Sequence, residues 1–195
     1  MKKSLLYITL LILLSGCIAR PVVEKQNREI HDQQSLLIKQ KILETAKTGD
    51  WLVVRGYRSA GNLVANVTGI DLSHAGVINM ETQQVVEAIG EGIIVTDLDV
   101  FIHRSYRLLI IRPRWWQQDN GQTAWENASK LKGKSYDFLG TIGFDSPKKY
   151  YCTELAVEIY KKWFKGNEKF PSVIKPGEMY LYGQVIYDSL PRDEM

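Results

Sequence analysis

Cysteine is scarce in this chain of 195 residues, and long hydrophobic runs are lacking. The two cysteines, Cys17 and Cys152, cannot supply the disulfide framework that holds many small secreted domains together. No apolar run reaches the roughly 20 residues that a membrane-spanning helix needs. Hydrophobic residues make up 45% of the chain and charged residues 24%, which is typical of a folded domain and excludes a disordered chain.

An excess of one charge is also lacking. Lys and Arg number 25 against 22 Asp and Glu, so the formal net charge is +3. Nucleic-acid binding depends on many cationic contacts to phosphates, and we therefore expect no nucleic-acid partner. The three histidines are scattered and match no zinc-binding spacing, so we also expect no metal and no other cofactor.

The first 17 residues have the pattern of an export signal with a lipid acceptor. Lys2 and Lys3 precede an apolar run over 5–14, and Leu14-Ser15-Gly16-Cys17 matches the bacterial lipoprotein box. We therefore predict a signal peptide at residues 1–16 and lipidation of Cys17. Acyl chains on that cysteine would anchor the protein outside the cytoplasm at a membrane. Because Ile18 rather than Asp follows, the outer membrane is expected in a Gram-negative cell.

The rest of the chain predicts a lipidated tether at 17–34 and one folded domain at 35–195. Residues 18–34 are polar with little periodicity, and helical periodicity begins at Ser35 and stops at Gly49. Further helices are predicted at 121–132 and 153–165. Short β-like runs lie at 51–54, 73–78, 85–89, 92–95, 107–111 and 184–187. Consecutive strands with helices at each end indicate an α+β fold, an antiparallel sheet packed against helices.

Cys152 is the thiol that remains once Cys17 is acylated. It precedes the predicted helix at 153–165, where unpaired backbone N–H groups favour a thiolate. A nearby imidazolium would activate it further as a nucleophile. The alternative is a buried, inert cysteine, which packs as a small hydrophobe. Position alone does not decide between the two.

A histidine base for this thiol is best supplied by His74, at the mouth of a predicted strand. His31 falls in the predicted tether, and His103 is predicted in a surface loop. A hairpin turning at Met80-Glu81 would place Glu87 opposite His74, close enough to orient the imidazole. Glu91 is the reserve for that role, because a slip of one residue would turn Glu87 to the other face.

Several short motifs together resemble a known family. They are Gly49-Asp50-Trp51-Leu52, Ser73-His74-Ala75-Gly76-Val77, Glu87, Gly133-Lys134-Ser135-Tyr136-Asp137 and Tyr151-Cys152-Thr153-Glu154-Leu155. Their order resembles the circularly permuted branch of the NlpC-type papain-like cysteine hydrolases, the YaeF/YiiX-like group, over about residues 48–182. Lecithin:retinol acyltransferase is a more distant relative of that group.

The resemblance implies a papain-like fold with Cys152 as nucleophile, His74 as base and Glu87 as the orienting residue. Thr153 replaces the family's usual Ser and would keep a hydroxyl for helix capping. For the oxyanion of an acyl-transfer intermediate, we expect the backbone N–H of Cys152 and a tyrosine hydroxyl, from Tyr57 or Tyr151, as donors.

Three functions remain open from the sequence. The first is a hydrolase that cleaves an amide in a cell-wall peptide or another envelope molecule. Arg55, Arg58 and Arg112 could clamp such a substrate, although exposed, solubilising arginines fit the sequence better. The second is an acyltransferase or thioesterase acting on lipid. The third is a lipoprotein without catalytic activity that binds the envelope, for which Trp115-Trp116 could supply an aromatic contact, although core packing fits these tryptophans better.

Overall fold

The computed structural model describes residues 23–25, 27–57, 71–166, 168–193 and 195. The predicted signal peptide, the lipid acceptor Cys17 and the possible clamp Arg58 lie outside the described residues.

The described residues form a six-stranded antiparallel sheet. Its strands are β1 (Trp51–Gly56), β2 (His74–Asn79), β3 (Gln84–Ile89), β4 (Gly92–Asp97), β5 (Ser105–Pro113) and β6 (Gly183–Asp188), in the order β4-β3-β2-β1-β5-β6. Each lies where an apolar run predicted it and extends by one or two residues beyond at least one end of that run. The α+β prediction is therefore confirmed.

The described residues also form four α-helices and three 3₁₀ turns. The helices are α1 (Arg28–Thr45), α2 (Leu98–His103), α3 (Gly121–Ser129) and α4 (Cys152–Glu158). The 3₁₀ turns are Gly140–Ile142, Lys161–Trp163 and Pro176–Tyr182. None of the helices in the described part of the chain combines the length and apolar character needed to cross a bilayer.

Both faces of the sheet are buried, which explains the continuous apolar run of β1. Trp51 and Val53 pack with α3 and α4 on one face, while Leu52 and Val54 pack with α1 and α2 on the other. Because successive side chains of a strand point to opposite faces, a strand buried on both sides needs apolar residues at every position.

The predicted tether at 17–34 is wrong at its C-terminal end, because α1 begins at Arg28. Asn27 caps the helix by accepting from the backbone N–H groups of Glu29 and Ile30. His31 and Gln34, which the sequence placed in the tether, are buried. The polar surface of this helix hides its 3.6-residue periodicity, so the apolar pattern alone starts it too late.

Two further helix predictions need correction. Residues 98–103 form α2, so His103 ends a helix and does not belong to a surface loop. The predicted helix at 153–165 remains α-helical only to Glu158. After it, the N–H of Tyr160 bonds to the carbonyl of Val157, three residues back, and the chain tightens into the 3₁₀ turn.

The arginine and tryptophan candidates for binding are structural. Arg112 forms an ion pair with buried Asp50 (2.8 Å) and stacks over the ring of Trp116. Trp115 is buried in the core beneath the 3₁₀ turn that ends at Tyr182. Arg55 is buried within β1. None of these four side chains is presented as a substrate clamp or an aromatic contact surface.

Candidate active site

Cys152 opens helix α4, which packs against β2 and β3. The thiol is free and only 6% of the residue is exposed. Next to it, the hydroxyl of Thr153 donates to the carbonyl oxygen of Ile174 (2.5 Å), so it ties the helix to a neighbouring loop and does not cap it, contrary to expectation. The carboxylate of Glu154 instead accepts from the backbone N–H of Tyr151, before the helix begins.

His74, the first residue of β2, meets Glu87 of β3. The Nε2 atom of His74 lies 2.6 Å from Oε2 of Glu87. The His74 side chain is 21% exposed, whereas that of Glu87 is fully buried. A buried carboxylate at this position is stable because it is paired.

The strand register differs by two residues from the prediction. Gly76, rather than His74, is directly opposite Glu87, because the hairpin turn contains four residues, 80–83, and not two. The Asn79 side chain builds this longer turn by accepting from the N–H groups of Glu81 and Thr82. A slip of two residues keeps Glu87 on the same face as His74, so the two side chains still meet diagonally.

Two side chains that sequence reasoning missed complete the partners of Glu87. The Thr96 hydroxyl donates to Oε1 of Glu87 at 2.5 Å, and the guanidinium of Arg104 donates to the same oxygen. Burial opposes the charged carboxylate, but His74, Arg104 and Thr96 together lower the pKa of Glu87 to about 2. Glu87 is therefore a carboxylate at every physiological pH.

Thr96 and Arg104 carried a faint signal in the sequence. Thr96 lies on β4 opposite Val85, two residues from Glu87 on β3, so period-2 alternation places both on one face. Arg104 follows the short helix α2. Its position near β3 could have been predicted only if that helix had been recognised in the sequence.

The imidazole of His74 also interacts with Cys152. Burial opposes the charged ring, but hydrogen bonding to Cys152 and Glu87 raises the pKa of His74 to about 9. Because Nε2 is used by Glu87, Nδ1 is the nitrogen available to the sulfur. The three predicted site residues thus lie close to one another, with His74 in direct contact with Glu87.

The other predicted site residues lie differently. The exposed Glu91 follows β3 in the turn to β4, while Glu87 occupies the partner position beside His74. The Tyr57 hydroxyl faces Nδ1 of His31 (3.5 Å), and the Tyr151 hydroxyl accepts from the N–H of Ile174 (3.1 Å). In the described structure, neither tyrosine hydroxyl is directed at Cys152, so the expectation that one of them serves as an oxyanion donor lacks support.

Tyr136 is a tyrosine near the start of α4 that the site prediction overlooked. Its main chain is fixed by a bridge to Tyr150, two residues before Cys152. Burial raises the pKa of its phenol. The phenol therefore stays protonated and can donate a hydrogen bond.

A comparison with protein families identifies the chain. The model of the permuted papain-like amidase enzymes, the YaeF/YiiX or C92 family, matches residues 45–176, about two thirds of the sequence. The chain belongs to this family. The match covers β1 to the start of the last 3₁₀ turn and so includes His74, Glu87 and Cys152.

The N-terminus and the fold have their own matches. Residues 1–17 match the lipid attachment site of prokaryotic membrane lipoproteins, which supports a lipid-anchored envelope protein. The crystal structure of the metalloprotein yiiX from Escherichia coli O157:H7 is similar, with a TM-score of 0.50 and 24% identity. The similarity covers 60% of this chain and 65% of that one, and it shows the shared fold. No curated protein matches.

One cluster among the described residues of this C92-family chain has metal-ligand chemistry. The donor atoms of His31, Asp32 and His103 lie within 4.8 Å of one another. However, Nε2 of His31 donates to the carbonyl oxygen of His103 (2.8 Å), and Nδ1 faces Tyr57. A metal ion would have to displace one of these contacts, so the arrangement does not fit a bound ion.

Proposed function

We propose that this C92-family protein is a membrane-anchored cysteine amidase with Cys152 as nucleophile, His74 as acid and base, and Glu87 as the residue that positions His74. The observation that carries the proposal is the placement of one imidazole between a thiol and a buried carboxylate. The pKa of about 9 keeps His74 protonated at neutral pH, so an imidazolium is the group that we place next to the nucleophile.

The proposed reaction has two steps. The Cys152 thiolate attacks the carbonyl carbon of an amide, and the C–N bond breaks as the His74 imidazolium gives its proton to the leaving amine. This leaves a thioester on Cys152 and a neutral imidazole. The imidazole then takes a proton from water, whose oxygen attacks the thioester and releases a carboxylic acid and the thiol.

The oxyanion formed in both steps needs hydrogen-bond donors. The backbone N–H of Cys152 opens α4 and has no acceptor within its own helix. Tyr136 is bridged to Tyr150, just before α4, and its phenol stays protonated, so we propose it as the second donor.

The family and the lipid attachment site support the substrate class that we propose. An amidase anchored through Cys17 acts outside the cytoplasm, so we propose an amide of a cell-wall peptide or another envelope molecule as its substrate. In a Gram-negative cell, Ile18 after the lipidated cysteine would direct it to the outer membrane.

Alkylation of the thiol tests the proposed triad. Cys17 is blocked by lipid in the mature protein, so iodoacetamide reports on Cys152 alone among the two cysteines. At pH 6.5 we expect rapid labelling of the wild type, no labelling of Cys152→Ser, and labelling at least tenfold slower for His74→Ala. The matched control His103→Ala removes an imidazole that is 51% exposed, and it should label like the wild type.

Product analysis then tests the reaction. The wild type is incubated with muropeptides and with N-acyl amino-acid amides, and newly formed amines are quantified. Release of amine by the wild type but not by Cys152→Ser is the expected result. Equal alkylation of wild type and His74→Ala would overturn the triad, and transfer of the acyl group to an added amine instead of water would assign an acyltransferase.

A further inference from the structure

The loop at residues 138–144, called here the apolar loop, exposes large hydrophobic side chains next to the candidate active site. The side chains and exposed fractions are Phe138 65%, Leu139 56%, Ile142 66% and Phe144 68%. Single exposed hydrophobic residues are common on protein surfaces, but four within seven residues form a patch of the kind that contacts another apolar phase.

The conformation of this loop is fixed from within. The Asp137 carboxylate, itself buried, accepts from the N–H groups of Gly140 (2.9 Å) and Ser146 (2.8 Å), so it closes the loop at its base. A Cβ at Gly140 would lie 2.7 Å from that carboxylate, so glycine is required there. The exposed side chains are therefore held outward by a built turn.

The apolar loop lies against residues that border the candidate site. A Cβ at Gly140 would lie 3.1 Å from the ring of Tyr151, the residue before Cys152, and the Phe138 ring packs on that of Tyr136 (4.8 Å between centroids). It also reaches Gly90, where a Cβ would lie 3.7 Å from Phe138 Cζ. Gly90 directly follows β3, at the end of the sheet where His74 begins β2.

The lipid anchor joins the domain at this same end of the sheet. His31, in the first turn of α1, donates to the carbonyl of His103, and the next residue, Arg104, binds Glu87 in the site. About eleven residues separate Cys17 from the start of α1, a reach of at most about 40 Å. The segment that carries the anchor therefore enters the domain at the end of the sheet that also carries the apolar loop.

Positive charge flanks the apolar loop on both sides. Asp145 is the one exposed acidic residue between 130 and 150. Against it stand the exposed lysines of the two flanks, Lys132, Lys134, Lys148 and Lys149. Apolar side chains bordered by lysines match the interface of a bilayer with anionic headgroups.

We propose that the apolar loop inserts into the lipid–water interface of the anchoring membrane and holds the opening of the Cys152–His74 site at the bilayer surface. The flanking lysines contact anionic phospholipid headgroups. This interaction goes beyond the proposed amidase activity and does not depend on it, since it rests on the surface and not on the nucleophile.

Vesicle binding tests this membrane contact. The mature chain from residue 17 is prepared with Cys17→Ser, so that no lipid anchors it, and mixed with vesicles of phosphatidylcholine with 30% phosphatidylglycerol. We expect binding that falls at least tenfold in Phe138→Ser/Phe144→Ser. The matched control is Tyr180→Ser/Leu181→Ser, which removes two apolar side chains of similar exposure. They lie in the last 3₁₀ turn, at the opposite end of the sheet, where the Tyr182 carbonyl accepts from the N–H of Arg114 just after β5.

A fluorescence measurement covers the case in which the double variant does not fold. A polarity-sensitive dye is attached at Ile142→Cys, or at Gln118→Cys as control, in a chain that also carries Cys17→Ser and Cys152→Ser. Vesicles should shift the emission to the blue at position 142 and not at 118. Absence of wild-type binding, equal binding by both double variants, or an unshifted dye at 142 would each overturn the proposal.

Discussion

Glu87 and His74 are joined by a 2.6 Å contact between Oε2 and Nε2, while the other carboxylate oxygen is occupied by Thr96 and Arg104. Both oxygens of this buried carboxylate are therefore satisfied, and the orientation of the imidazole is fixed. Because Nε2 is held by Glu87, Nδ1 is the nitrogen that would serve Cys152 in the proposed acid–base mechanism.

Glu87 should control the protonation of His74. Because its carboxylate raises the pKa of His74, which lies at about 9, Glu87→Gln should lower that pKa by about one unit or more. The imidazolium would then lose its proton at a lower pH, and amidase activity would decline at a correspondingly lower pH. Titration of the histidine side chains by NMR measures this directly. His31, whose pKa burial lowers to about 4, is the internal control, and an unchanged His74 midpoint would contradict the assignment.

Arg104 should act on His74 with the opposite sign. Its positive charge offsets part of the Glu87 carboxylate, so in Arg104→Met the pKa of His74 should rise. The variant also leaves a buried carboxylate with one charged donor fewer, and we expect a loss of about 2–3 kcal/mol of stability. NMR titration and urea unfolding measure the two effects.

Arg114→Met is the matched control for Arg104→Met. Arg114 pairs with Glu168 but is 43% exposed, so its loss should cost less than about 1 kcal/mol and leave His74 unchanged. A fall in the pKa of His74 in Arg104→Met would show that Arg104 does not act through Glu87.

Tyr136 should matter for acyl transfer and not for thiol reactivity. Alkylation of a thiolate forms no oxyanion, so Tyr136→Phe should react with iodoacetamide within about twofold of the wild type. Loss of an oxyanion donor lowers kcat by about 100-fold, and we expect a fall of this size in amide cleavage. The control is Tyr150→Phe, which removes the hydroxyl of the residue bridged to Tyr136. We expect its kcat to be unchanged. Equal losses in both reactions would indicate a structural role.

The strands and the position of Cys152 at the start of a helix were predictable because their signals are local. Apolar runs located all six strands, and one cysteine at the start of a helix identified the thiol. The pairing of His74 with Glu87 was predicted with the wrong register but the right face. Two extra turn residues shift a hairpin by an even number, which preserves the side-chain alternation.

The parts that were missed depend on contacts between distant segments. Arg104 reaches Glu87 because α2 is a helix, and six residues give too short a periodic pattern to recognise. The early start of α1 depends on an Asn27 cap and on His31 packing against α2. Such tertiary contacts stabilise a helix whose local periodicity is weak. Because they are not visible in the sequence, the polar composition of 18–34 indicated a tether.

Arg192 should make the largest single contribution to holding α1 against the rest of the domain. Its buried guanidinium donates to three backbone carbonyls, those of His31, Ile102 and Ser105, and so joins α1, α2 and β5. Arg192→Met would leave these carbonyls without their charged donor. We expect a loss of about 3 kcal/mol, or roughly 6–12 °C in Tm. Hydrogen exchange should rise first in α1, since one of the lost bonds holds its first turn.

The control for Arg192→Met is Lys161→Met. Lys161 is 67% exposed and pairs with nearby Glu158 on the surface, so its replacement should shift Tm by about 1 °C or less. Thermal unfolding and hydrogen exchange of both variants measure the difference. If α1 exchanges hydrogen as slowly in Arg192→Met as in the wild type, then packing of Ile38 and Ile42 holds the helix without the guanidinium. In that case the apolar contacts of α1, and not Arg192, would connect the anchored N-terminal segment to the domain.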